Sequence, residues 1–133
     1  MVTIERQNPP GLHTPPGYHH VTTTTARRTV YLAGQCPLSP AGEVVAGGLA
    51  RQVAQVASNT AAALAAAGAT PADVVRTVIY VVTTERETLS EVWAQLTTSE
   101  IAEAFTSAST LLGVAQLGYP GQLVELEVTA ALD

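Results

Sequence analysis

The sequence predicts an α/β domain of two layers, with the element order β-β-α-β-α-β-β and both helices on one face of the sheet. Three segments carry that expectation. Residues 49–67 repeat apolar side chains at helical spacing and fill the gaps with alanine. Val74–Val82 (VVRTVIYVV) is a β-branched run, nearly apolar on both sides, as suits a strand buried in the middle of a sheet. Residues 122–132 alternate apolar and mixed positions, the pattern of a strand with one dry face.

Taken in order, residues 1–17 hold two Pro-Pro pairs and two glycines and read as an extended arm without regular structure. A single domain is expected over 18–133. Residues 18–25 and 29–33, rich in Thr, Val and Tyr, suit two strands joined at Ala26-Arg27-Arg28. Pro37 and Pro40 make 34–42 a loop, and 43–46 suits a short edge strand. In the first helix the stripe is Leu49, Val53, Val56, Thr60, Leu64 and Ala67, with Gly68 just past its end. Thr70-Pro71 starts at most one further turn before the β-branched run. Thr84 is the expected cap of a second helix with the stripe Leu89, Val92, Trp93 and Leu96; Glu85 and Glu87 fall in its first turn. A helical turn over 99–105, a strand over 110–117, a turn over 118–121 and the last strand complete the chain.

In that last strand Val124, Leu126, Val128 and Ala130 point one way, and Leu123, Glu125, Glu127 and Thr129 the other. The first set suits packing under helices. The second fits neither a core nor plain solvent, so we expect it to meet other subunits and to leave a polar cleft at the seam.

Composition narrows the function. The chain has 133 residues, 47% hydrophobic and 13% charged, which suits one folded domain and excludes a disordered one. It has six arginines and no lysine, so neither a lysine Schiff base nor a phosphate-binding P-loop lysine is available. A net charge of −5 argues against nucleic acid as a partner. The single cysteine, Cys36, excludes an internal disulfide and a multi-cysteine metal site. No apolar run approaches a membrane span, and no secretory pattern opens the chain, so a cytoplasmic protein is expected. So few charges in a small chain also suggest surface hidden in an oligomer.

Several short motifs in order resemble the RidA/YjgF family of reactive-intermediate deaminases, whose members are also described as L-PSP endoribonuclease-like. They are Gly17-Tyr18, Leu32-Ala33-Gly34-Gln35, Gln52 with Asn59 seven residues on, Ala67-Gly68-Ala69, Asp73-Val74-Val75 with Thr77-Val78, and Val124-Glu125-Leu126-Glu127. The resemblance covers about 17–132. It implies a chorismate-mutase-like α/β fold, a homotrimer, a small-molecule cleft at each subunit interface, no cofactor, and hydrolysis of an enamine or imine. It also implies a carboxylate-binding arginine in a Pro-Ala-Arg segment. Here that segment reads Ser107-Ala108-Ser109-Thr110, and no arginine follows Arg86, so the clamp is missing. Ala33 stands where the family often has serine, and Ser90 falls near a common asparagine.

Glu125 is the leading catalytic candidate, because a carboxylate in a partly dry interface suits general acid–base work, and in the family it is associated with positioning water. Glu127 on the same face makes a carboxylate pair conceivable. Tyr18 is expected at the cleft edge, with Ser109, Leu111, Ala33, Ser90 and His19 or His20 shaping the pocket. Adjacent strand histidines face opposite ways, so His19 and His20 do not form a metal site by themselves, and no metal is expected. Cys36 is read as a small buried group, and Arg27-Arg28 as the solvated cap of a hairpin, with a stand-in for the absent arginine as the lesser alternative. A non-catalytic small-molecule or partner-binding trimer is the alternative, and ribonuclease activity a third reading opposed by the charge balance.

Overall fold

A computed structural model describes residues 4–133 of the chain. Four strands form the main sheet in the order β3-β6-β4-β5. They are β3 (Arg28–Tyr31), β4 (Val74–Val82), β5 (Ala108–Val114) and β6 (Val124–Leu132). β6 is antiparallel to both β3 and β4, and β4 runs parallel to β5. A parallel neighbour requires a crossover. Helix α2 (Arg86–Leu96) and the 3₁₀ turn Ala102–Thr106 supply it.

Both helices lie on one face. Val53, Val56, Ala57 and Leu64 of α1 (Leu49–Ala66) share one core with Val92 and Leu96 of α2 and with Ile79, Val81, Val124, Leu126 and Val128 of the sheet. Full burial of each such side chain contributes on the order of 1.5–3 kcal/mol. Gly68 follows α1 with φ +78°, the left-handed conformation that favours glycine after a helix end.

Several elements depart from the sequence expectation. Residues 4–7, expected to lack regular structure, form β1 (Ile4–Gln7), which pairs with β2 (Val21–Thr24) as a separate two-stranded ribbon. Residues 1–3 of the expected arm lie outside the described residues. Arg6 fastens the ribbon to the domain: its Nε donates to Ser107 Oγ at 2.9 Å, and a terminal nitrogen donates to the carbonyls of Ala72 and Val74. A lone arginine just ahead of a Pro-Pro pair carried no periodic signal, so this anchor was invisible in the pattern.

α2 begins at Arg86, not after a Thr84 cap. Thr83 Oγ1 accepts the Glu85 N–H at 2.9 Å, which holds Glu85 extended as the N-cap. β5 starts two residues earlier than expected and ends at Val114, because its register with β4 runs only from Arg76–Ala108 to Val82–Val114. The expected edge strand at 43–46 is reduced to a single bridge between Leu38 and Val44.

Among the described residues, one buried side-chain polar atom is unsatisfied. Thr60 lies wholly inside α1's packed face, and its hydroxyl has no hydrogen-bond partner. Thr60→Val keeps the shape and removes the stranded hydroxyl. It should stabilise the protein by about 1 kcal/mol, seen as a higher urea midpoint with an unchanged slope at fixed protein concentration.

Candidate functional site

The residues singled out from sequence form two clusters on opposite faces of the main sheet. The cross-strand register shows this. Glu125 sits opposite Tyr80, while Leu126 on the core side sits opposite Ile79, whose parallel neighbour is Leu111. Ser109 neighbours Thr77, which faces Val128 in the core. Ser109 and Leu111 are thus on the helix side, and Glu125 is on the outward side.

The outward cluster is built around Glu125. Its Oε1 accepts from Gln122 Nε2 at 3.1 Å and from the Cys36 thiol at 3.3 Å. Gln122 is buried; its own Oε1 accepts the Tyr119 N–H, and its amide nitrogen also reaches the Val124 carbonyl. The other carboxylate oxygen lies over Gly34, where a Cβ would come within 2.1 Å of it. Glycine is needed here for space: any side chain displaces Glu125.

Two polar residues of α1 hold the loops that form this cluster. Gln52 Nε2 donates to the Gly121 carbonyl at 3.0 Å, and its Oε1 accepts the Leu123 N–H at 2.8 Å. Asn59 Nδ2 donates to the carbonyls of Cys36 and Leu38, each at 3.0 Å. Seven residues apart, the two amides lie about two turns along one helix face. Nearby, the Tyr80 hydroxyl donates to Glu127 Oε1 at 3.0 Å, and that bond pushes the phenol's pKa up. Glu127 thus bonds to Tyr80 and not to Glu125.

The helix-side cluster is a cleft of about 420 Å³ lined by Pro16, Tyr18, Ser90, Trp93, Ser109 and Leu111. It brings together four residues named from sequence: Tyr18, Ser90, Ser109 and Leu111. Trp93 and Pro16 were missed. Trp93 read as part of a core stripe, although it follows Ser90 by three residues and so shares its helix face. Its indole N–H donates to the Pro16 carbonyl at 3.0 Å. Gly17, at φ +107°, lets the chain turn sharply there. Trp93 meets Tyr18 and Phe105 edge-on, with centroids 6.1 and 5.9 Å apart.

The remaining candidates stand apart from the cleft lining. His19 Nδ1 donates to the Thr106 carbonyl at 2.5 Å, and His20 Nε2 to the His13 carbonyl at 2.8 Å. The Tyr18 hydroxyl pairs with His13 Nε2 at 3.3 Å. Ala33 is exposed beyond the end of β3. Arg28 donates twice to the Asp133 carbonyl at the far end of β3, away from Ser109, so within one chain it does not replace the missing clamp. Arg27 is exposed beside it.

The family model described as endoribonuclease L-PSP matches residues 12–132. A Yersinia pestis protein of unknown function from the conserved Rid family, YyfB, is 35% identical with a TM-score of 0.84, covering 97% of this chain and 98% of its own. RidA from the Antarctic bacterium Psychrobacter is 28% identical with a TM-score of 0.62, over 83% of this chain and 88% of that one. A Mycobacterium tuberculosis member of the YjgF/YER057c/UK114 family is 28% identical with a TM-score of 0.61, over 98% and 100%. No curated protein matches the chain. Among the described residues no helix is long and apolar enough to cross a membrane.

Cys36 reports on the Glu125 cluster. Burial first, then donation to the Glu125 carboxylate and its charge, push the thiol from 9.0 up to about 11, against a small opposing effect of Gln122. In Glu125→Gln the two carboxylate contributions vanish and burial remains, so the midpoint should fall part of the way back toward 9.0. At a fixed pH near 9 the thiolate fraction then rises by about tenfold for each unit of fall. Ultraviolet thiolate absorbance, read against Cys36→Ser across pH, measures it.

Proposed function

The chain belongs to the endoribonuclease L-PSP family, the Rid proteins, and on that premise we propose that it hydrolyses a small enamine or imine in a cleft shared between copies of a homotrimer. The observation that carries this reading is the fixed carboxylate of Glu125. Gln122 and Cys36 occupy one oxygen, and Gly34 leaves space for the other, which suits holding and deprotonating a water. The water oxygen bonds to the imine carbon and its proton passes to Glu125. The C=N π pair moves onto nitrogen, which takes a proton to give the carbinolamine. Its hydroxyl then loses a proton, the oxygen closes the C=O, and the C–N bond breaks as Glu125 returns its proton to nitrogen. One imine and one water give one carbonyl compound and one ammonia.

Glu125 and the cleft of the same chain face opposite sides of the sheet, so the reaction needs the outward face of a neighbouring copy. That face suits association. Tyr31 is 79% exposed on β3, and Leu112 is 41% exposed on β5 in the row of Tyr80 and Glu125. Tyr18, Ser90, Ser109 and Leu111 would line the substrate side. With no arginine after Arg86, the substrate lacks a carboxylate at the place where the family's arginine binds one. The net charge of −5 and the outward Glu125 and Glu127 oppose RNA as substrate.

The same separation of Glu125 from the cleft supports one rival, a trimer that binds a small molecule without turnover. Glu125→Gln separates the two. The enzyme reading expects ammonia release from a broad panel of imines to drop by about 10²–10⁴-fold with ligand binding retained. Binding by the wild type with no turnover across the panel favours the rival. Imines of small amino acids should be hydrolysed close to the rate without enzyme, and rapid ammonia release from them would overturn the missing-clamp argument.

The assembly has its own test. Sedimentation velocity should give three copies for the wild type and monomers for Leu112→Glu, which sets a carboxylate in the contact face beside Tyr80, two strands from Glu125. A monomeric wild type rejects the shared cleft.

A further inference from the structure

Hydrogen-bond accounting at Ser109 says what the cleft selects. The Thr77 side chain is fully buried, and its hydroxyl donates to Ser109 Oγ at 2.6 Å. Ser109 in turn donates its only proton to the Ser107 carbonyl at 3.0 Å. A hydroxyl has one proton and two lone pairs. The order Thr77 to Ser109 to Ser107 is also the one that leaves no buried proton stranded, because Thr77 has no other hydrogen-bond acceptor among the described residues. Ser109 therefore presents the cleft with one lone pair and no donor.

A carboxylate accepts hydrogen bonds and donates none, so this subsite repels it as well as failing to clamp it. None of the six lining side chains carries a charge. Trp93 has its N–H committed to Pro16 and offers carbon surface only, set edge-on to Tyr18. Such a corner suits a flat unsaturated ring. Among the described residues Ser90's hydroxyl has no hydrogen-bond partner, so it is open to either role.

We infer that the cleft selects an uncharged, planar, unsaturated ligand carrying an N–H, with the N–H on Ser109 and the ring against Trp93. This rests on the Rid-type cleft being the ligand site, and it assigns the substrate class: a neutral enamine or N–H imine conjugated to a ring. Trp93 and Ser109 are its specificity determinants.

Trp93 is the chain's one tryptophan, so its emission reports the cleft directly. Three probes of one shape separate the terms: benzamide (neutral, with N–H), methyl benzoate (neutral, without N–H) and benzoate (charged). On the assembled wild type, benzamide should bind about threefold or more tighter than methyl benzoate and about tenfold or more tighter than benzoate. Ser109→Ala should bring benzamide down to the methyl benzoate level. Because that variant strands the Thr77 hydroxyl, the double variant Thr77→Val/Ser109→Ala repeats the test with both partners removed. Benzoate binding as tightly as benzamide, a benzamide preference that survives both variants, or no emission change with any probe at millimolar concentration overturns the inference. None of these readouts involves turnover. A wild type that hydrolyses no imine yet ranks the probes as expected refutes the enzyme and leaves this selectivity standing.

Discussion

The alternation of β6 divides the protein into two working sides. Val124, Leu126 and Val128 enter the core under both helices, so the residues between them must point outward. Glu125 owes its position to the burial of its neighbours. A slip of one residue in the pairing with β4 would bury both glutamates and expose the valines. The core therefore holds the carboxylate's direction more firmly than any contact of its own.

Direction alone does not fix a side chain, and the second constraint comes from α1. Gln52 is buried among apolar residues, yet its amide satisfies a donor and an acceptor where the chain enters β6. Asn59 satisfies two acceptors, the carbonyls of Cys36 and Leu38, in the loop carrying Cys36. Removing either amide strands backbone groups, at a cost on the order of 1–3 kcal/mol each when buried. The helix that packs the core thus also holds Gln122, Cys36 and Gly34 around Glu125.

Sequence made the main elements legible because they depend on period. The runs 49–67 and 74–82 differ by at most one residue from what forms, and the inward set of β6 is buried as its alternation required. What sequence hid depends on single hydrogen bonds between distant segments. Arg6 on Ser107, Trp93 on Pro16 and Gln122 on Glu125 have no periodic trace. The family resemblance placed Tyr18, Ser90, Ser109 and Leu111 together, while period alone would have left Ser109 an ordinary strand serine. Sequence also gathered Glu125 and Ser109 into one pocket, and only the strand register puts them on opposite faces of the sheet in one chain.

The bond from Trp93 to the Pro16 carbonyl joins a helix to a segment outside the core. The donor is built into a packed element, but the acceptor is main chain, which every residue possesses. The exposed side chains at positions 14 and 16 can change without breaking that tether, while Gly17 must keep its turn. One wall of the cleft is therefore free to drift in sequence at little cost to folding. Related chains with the same sheet and helices would then diverge first in what they accept at this rim.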